Sequence, residues 1–229
     1  MSRPRNFAAS LVLAAMASPA PGHAGTYSGM VAVTSDYVFR GISQSRGDPA
    51  VQAGASYATH AGWYASAWRS TVRFAPALDA DLEIDLVAGW AGAVSDRWSA
   101  DLNVTHFRYP GTAIDSDYTE IIASLAFDGR YRAMLGWSPD VFATGEDGIY
   151  LLASARWPVA HAYRIEAAVG HYRLTDAYGD DYQHWQLGVV RTLAPLELRL
   201  SVHGTDGAAG ALFPGVAGSR VEFAVQLSF

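Results

Sequence analysis

The sequence predicts an all-β fold: a closed antiparallel transmembrane β-barrel of about 12 strands with both termini periplasmic. Three observations carry that prediction. Apolar and polar residues alternate with period 2 over segments of about ten residues, the length a tilted membrane-crossing strand needs. The connections between these segments alternate between short and long, as in an up-and-down barrel. The chain also opens on a leader-like stretch and closes on an alternating strand with a terminal aromatic residue, Phe229.

The elements follow in order. Residues 1–24 read as a secretory signal peptide: Arg3 and Arg5, an apolar stretch from Phe7 to Ala17, then Pro19, Pro21 and the small-residue site Gly22-His23-Ala24. That stretch is too short to span a bilayer as a helix. The barrel domain is residues 25–229, with strands expected over 28–40, 50–58, 62–69, 82–93, 97–109, 118–127, 130–138, 149–157, 162–173, 182–192, 195–203 and 219–229. Leu82, Ile84, Leu86, Ala88 and Trp90 alternate with Glu83, Asp85, Val87 and Gly89, and the strand over 118–127 alternates in the same way. Short connections fall near Thr59–Ala61, Val94–Asp96, Asp128–Gly129, Pro158–His161 and Leu193–Ala194. Long ones are 41–49, 70–81, 110–117, 139–148, 174–181 and 204–218. In the last strand Phe223, Val225, Leu227 and Phe229 share one face and are read as an assembly signal for the barrel-assembly machinery.

Composition excludes several classes. There is no cysteine, hence no disulfide framework or thiolate metal site. Removing Arg3 and Arg5 from the 16 basic residues leaves 14 against 22 acids, a formal charge of −8, which argues against a nucleic-acid partner. The register places Tyr57, Trp63, Trp90, Trp98, Phe127, Tyr131, Trp157, Tyr163 and Phe229 outward at the short-turn end. An interfacial belt of this kind suits rings that are apolar on the face and wet at the tip. A β-sandwich would not gather its aromatic residues at one end. One internal similarity recurs at an offset of about four strands: Thr105-His106-Phe107-Arg108-Tyr109 with Asp115 to Tyr118, and Gly170-His171-Tyr172-Arg173-Leu174 with Asp180-Asp181-Tyr182.

Thr34-Ser35-Asp36-Tyr37-Val38-Phe39-Arg40-Gly41-Ile42-Ser43-Gln44, followed by Gly47-Asp48-Pro49-Ala50-Val51-Gln52, resembles the opening signature of the TorF-type family of proteobacterial outer-membrane porins. Gly62-Trp63-Tyr64-Ala65, Glu83-Ile84-Asp85, Arg108-Tyr109-Pro110-Gly111 and Tyr118-Thr119-Glu120 are similar to later motifs of that family, in the same order. The chain departs from it at His106 and Arg108, where the family often has tyrosines. The resemblance implies an outer-membrane protein and brings no substrate or catalytic residue.

Function is therefore expected from the inward face. Glu83, Asp85, Asp101, Glu120, Arg130, Arg132, Arg156, Arg164, Glu166, Glu197, Arg199, Arg220 and Glu222 are expected to line the lumen, since charges facing lipid at mid-depth cost a few kcal/mol. The expected function is a narrow outer-membrane channel for passive diffusion of small hydrophilic solutes or ions. Acidic long loops would give it mild cation preference. The alternative is a structural or receptor-like barrel whose lumen is plugged by its own salt bridges. An outer-membrane lipid hydrolase is disfavoured, because His106 and His171 face outward with no outward serine at matching height, and Ser124 and Ser154 point inward. No catalytic, cofactor or metal residues are assigned: the Asp176–Asp181 stretch is oxygen-rich but lacks EF-hand spacing. The expected partners are outer-membrane lipid and lipopolysaccharide, the assembly machinery and the solute. The expected location is the Gram-negative outer membrane after export to the periplasm.

Overall fold

The computed structural model describes residues 25–74, 79–112 and 114–229. The leader expected over residues 1–24 lies outside them. Among the described residues twelve strands close into one antiparallel barrel. They are β1 (Thr26–Thr34), β4 (Ala50–Ala58), β5 (Trp63–Thr71), β6 (Leu82–Ala93), β7 (Trp98–Arg108), β8 (Tyr118–Phe127), β9 (Tyr131–Ser138), β10 (Gly148–Ala160), β11 (Tyr163–Arg173), β12 (Tyr182–Leu193), β13 (Leu196–Thr205) and β14 (Arg220–Ser228). Two further short strands, β2 (Val38–Phe39) and β3 (Ile42–Ser43), form a separate hairpin between β1 and β4.

Each barrel strand pairs with its neighbours in sequence, and β1 closes the ring by pairing with β4 on one side and β14 on the other. The closure is tight. Gly29 and Phe229 exchange backbone hydrogen bonds of 2.7 and 3.0 Å. A Cβ on Gly29 would meet the Phe229 ring at 2.6 Å, so the bare glycine is what lets that ring lie across the seam.

The period-2 pattern sorts the faces. Large apolar side chains such as Val33, Leu102, Leu125, Val169, Leu187 and Val221 stand exposed on the outer wall, each more than 40% exposed. An apolar surface continuous around a barrel is far larger than the patches water-soluble monomers expose. The polar residues between them turn inward. At the short-turn end the outward aromatic residues meet across strands. Tyr27 partners Tyr57, Trp63 partners Trp90, and Trp98 partners Phe127, which in turn partners Tyr131. The rings of the first and third pairs lie 4.8 and 4.9 Å apart. Asp128-Gly129 makes a tight turn with both φ positive, the hairpin chemistry expected of Asp-Gly.

The long connections carry a 3₁₀ turn (Val141–Ala143) and two short helices, α1 (Thr175–Tyr178) and α2 (Gly207–Leu212). The main departure from expectation is at the first strand. It ends at Thr34, and residues 35–40, expected to continue it, leave the wall and enter the barrel. β1 and its partner β4 are each nine residues long, so a strand continued to residue 40 would have overrun its partner.

Candidate functional site

The segment that leaves the wall packs inside the loop end of the barrel. Asp36 ties its two arms together: its carboxylate accepts hydrogen bonds from Ser43 Oγ at 2.5 Å and Ser45 Oγ at 3.0 Å, and an Arg220 bond at 3.1 Å anchors it to β14. The Tyr37 amide donates to Ser45 Oγ at 2.9 Å, and the Gln44 amide to the Tyr37 carbonyl at 2.7 Å. The hairpin tip is Arg40-Gly41, both at positive φ (49° and 82°), a two-residue turn whose twist matches its strands. A Cβ on Gly41 would lie 2.6 Å from His184 Cβ, so both its φ and its surroundings demand glycine.

The tip places Arg40 at the centre of the interior, 4% exposed. Its two terminal nitrogens donate in parallel to Glu120 Oε1 and Oε2 on β8, at 2.7 and 2.6 Å, the bidentate fork that suits guanidinium to carboxylate. The rings of Tyr150, Phe39 and Tyr172 stand 4.0, 4.7 and 4.7 Å from Arg40 Cζ. Tyr172 also donates to Glu120 at 3.3 Å, and Tyr182 to the Arg40 carbonyl at 3.1 Å. Further rings fill the space around this core. Tyr37 packs edge-on against Trp68 at 5.6 Å, Phe107 stacks on Tyr118 at 4.5 Å, and Phe142 of the 3₁₀ turn packs on Tyr118 at 4.8 Å.

Two more carboxylates stand in the same layer. Glu83 accepts from the Tyr109 hydroxyl at 3.1 Å, and Asp85 lies one inward position along β6; each is 1% exposed. Glu83 Oε2, Asp85 Oδ1 and the Tyr118 hydroxyl have no hydrogen-bond partner among the described residues. The loop end thus holds a charge pair joined through both carboxylate oxygens, with only Arg40 Nε left without a partner, beside carboxylates that have no cation.

The turn-side half of the interior is looser and half-buried. Arg164 donates to Glu166 at 2.6 Å and to both oxygens of Glu197 at 2.7 and 2.9 Å, and Arg199 reaches Glu166 at 3.2 Å. Asp101 accepts from the Tyr64 hydroxyl and from Asn103 at 2.8 Å. Arg132 donates to Ser124 at 2.8 Å, and Arg156 to the Gly129 carbonyl at 2.7 Å. Back at the loop end, and buried, Glu222 accepts from Thr34 at 2.9 Å and contacts His203 Nε2 at 2.9 Å, next to the Arg220–Asp36 anchor. Arg130 differs from the others: it sits in the turn before β9 and is exposed, because the tight Asp128-Gly129 turn shifts it off the strand. On β14, Phe223 and Phe229 stand exposed on the outer wall, with Val225 and Leu227 half-buried between them.

The repeated motif resolves into one strand-end device used twice. The amides of Tyr109 and Leu174 donate to Asp117 and Asp181 at 2.7 and 2.8 Å, closing their loops, while Phe107 partners Tyr118 and Tyr172 partners Tyr182 inside. Desolvation is the largest single influence on the Asp181 carboxyl and pulls its pKa up, but hydrogen bonds from the Thr175 hydroxyl and from the Leu174 and Thr175 amides, with the nearby His171, together outweigh it and hold the carboxyl below its usual value. A depressed carboxylate stabilises above its unfolded pKa and loses that contribution as pH falls through the folded one. Protection of the Leu174 and Thr175 amides from hydrogen exchange is therefore expected to persist at pH 4 and to be lost on further acidification. Asp181→Ala should lack it at every pH; equal protection in the variant would contradict the assignment.

The residues that sequence reasoning missed are those of the plug, Tyr37 and Arg40 above all, and the inward aromatic ring of Phe107, Tyr118, Tyr150, Tyr172 and Tyr182. A signal was present. These aromatic residues occupy inward positions at the loop end, where a watery lumen would not place them.

A family model described as "Bacterial protein of unknown function (Gcw_chp)" matches residues 16–227. No curated protein matches the chain. Among solved structures, the NanC porin superposes with a TM-score of 0.59 at 9% identity, over 89% of this chain and 99% of that one. The KdgM porin, solved in complex with disordered oligogalacturonate, superposes with a TM-score of 0.56 at 9% identity, over 89% and 99% of the two chains. At such identity the likeness is one of fold: a porin-like barrel.

Proposed function

The chain belongs to the Gcw_chp family of bacterial proteins of unknown function, and from that premise we propose that it is an outer-membrane channel held closed at rest by its own Val38–Ser43 hairpin. In this reading the loops face outward, both termini are periplasmic, and the TorF-type signature is the sequence of the plug. The barrel passes small hydrophilic solutes when the hairpin is displaced, and it performs no covalent chemistry.

The observation that carries the reading is the Arg40–Glu120 fork at the centre of the interior, made by a loop residue to a wall residue and 1% exposed on both sides. A constriction that belongs to the wall cannot open; one delivered by a hairpin can. The orphaned oxygens of Glu83 and Asp85 favour displacement, because each buried polar atom without a partner costs about 1–3 kcal/mol that contact with water would recover. The fork opposes it. The closed state is thus favoured but opposed within the same layer.

Opening also sets the selectivity. When Arg40 withdraws, Glu83, Asp85 and Glu120 remain on the wall, joined at the mouth by acidic loops. Rings of carboxylate prefer cations. With residues 35–49 shortened to a Gly-Ser turn, the refolded barrel in a salt gradient is expected to give a cation-biased reversal potential. Adding Asp85→Asn and Glu120→Gln should bring that potential toward zero. An unchanged reversal potential would remove these two residues from the path.

A further inference from the structure

The outer wall is apolar except at a few places, and one of them holds an arginine, Arg69, with no acid beside it. Arg69 on β5, Ile84 on β6 and Arg108 on β7 are consecutive Cα partners, so two outward arginines flank one isoleucine, their α-carbons about 10 Å apart. One row toward the turns, His106 partners Leu86 and Thr119, and its Nδ1 lies 3.0 Å from Thr119 Oγ1. Arg108 is 3.8 Å from Asp117 and its side chain is 60% exposed. Arg69 makes no ion pair or hydrogen bond among the described residues. The other outward arginines are accounted for: Arg173 reaches Asp147 at 2.5 Å, and Arg191 lies 5.5 Å from the Tyr163 ring at the turn end.

Depth makes Arg69 informative. It lies six residues along β5 from Trp63 of the aromatic belt. At about 3.3 Å per residue and a tilt of about 40°, that is about 15 Å up an apolar band about 25 Å tall. Its α-carbon therefore sits within the band, and only a side chain stretched toward the loops brings the guanidinium to the headgroup boundary. A cation held there unpaired is unfavourable; one that meets an anionic headgroup is not. Below it the wall is shallow, with Ala67 and the Ala65–Ala88 pair, where an acyl chain can lie close.

We infer that Arg69 and Arg108 form a site on the outer wall for the phosphate of a phosphorylated lipid, with the acyl chains against the small-residue surface below. The site rests on the reading of the barrel as membrane-spanning. Two guanidinium forks converging on one phosphate give geometric specificity that a single cation would not.

The test uses the refolded full barrel in nanodiscs of phosphatidylcholine containing lipid A, with retained lipid counted by native mass spectrometry after delipidation. Wild type is expected to retain lipid A. Arg69→Ala/Arg108→Ala should retain at least about tenfold less, since the loss of even one charge-assisted hydrogen bond is worth that much and the double variant removes both forks. Arg191→Ala should retain as much as wild type, and dephosphorylated lipid A should be lost from all. An inserted, heat-modifiable barrel that retains no lipid A overturns the site alone. So does equal retention in the double variant, or equal retention of the dephosphorylated lipid. A chain that does not insert overturns the membrane reading and the site with it.

Discussion

Arg40→Ala is expected to be the most disruptive single substitution in the interior. It leaves the Glu120 carboxylate buried with only the Tyr172 hydroxyl at 3.3 Å, and removing one partner of a buried pair typically costs about 3–5 kcal/mol. The loss has a ceiling. Once it exceeds the free energy that docks the hairpin, the hairpin leaves and water reaches Glu120. Two readouts therefore move together: the urea midpoint of the refolded barrel falls, and the amides of Val38–Ser43 lose protection from exchange. Replacing both partners with apolar residues, Arg40→Met with Glu120→Leu, should recover most of the loss, since an apolar pair of similar volume leaves no buried charge. If Arg40→Ala left both readouts within about 0.5 kcal/mol of wild type, the range of an ordinary surface change, the fork would not be what holds the hairpin.

The second large effect concerns the wall. Leu102 is 56% exposed, and it lies four residues along β7 from Trp98, about 10 Å above the aromatic belt and close to mid-depth. In a bilayer Leu102→Arg is expected to destabilise the barrel by about 2–4 kcal/mol, whereas Thr119→Arg, outward at the loop rim, should cost about 0–1 kcal/mol. In water both would be nearly neutral surface changes. Unfolding titrations in lipid vesicles measure the difference. Equal, small effects at the two depths would mean that lipid does not surround this wall.

Most of the barrel was legible in the sequence, because alternation depends only on which face of a strand meets which solvent. Asp128-Gly129 fixes one turn, and the strands over 82–93 and 118–127 begin and end where the pattern said. The same argument explains the error at residues 35–40. Asp36, Val38 and Arg40 continue the inward phase of β1, so period 2 carries no sign that the backbone has left the wall. Chain length does carry one: nine residues of β4 cannot partner a strand that runs from 28 to 40. The Arg40-Gly41 pair was a second sign, since it supplies the positive φ of a tight turn.

The candidate site was less legible for a related reason. Periodicity assigns Glu83, Asp85 and Glu120 to the inside but says nothing about what occupies the space between opposite walls. That depends on contacts between residues far apart in sequence, 80 positions for Arg40 and Glu120. Tyr118, Tyr150, Tyr172 and Tyr182 were readable as inward aromatic residues. A ring of them at one end of a lumen marks a packed interior rather than a wet one.

The central claim is that the Val38–Ser43 hairpin closes a channel that is otherwise present. Single-channel recording in a planar bilayer tests it most directly, comparing the refolded wild type with the barrel in which residues 35–49 are replaced by a short Gly-Ser turn. The account predicts rare or small steps from the wild type and large, long-lived steps from the shortened barrel. Large steady conductance from both would show that the hairpin closes nothing, and silence from both would show that the barrel holds no channel to close.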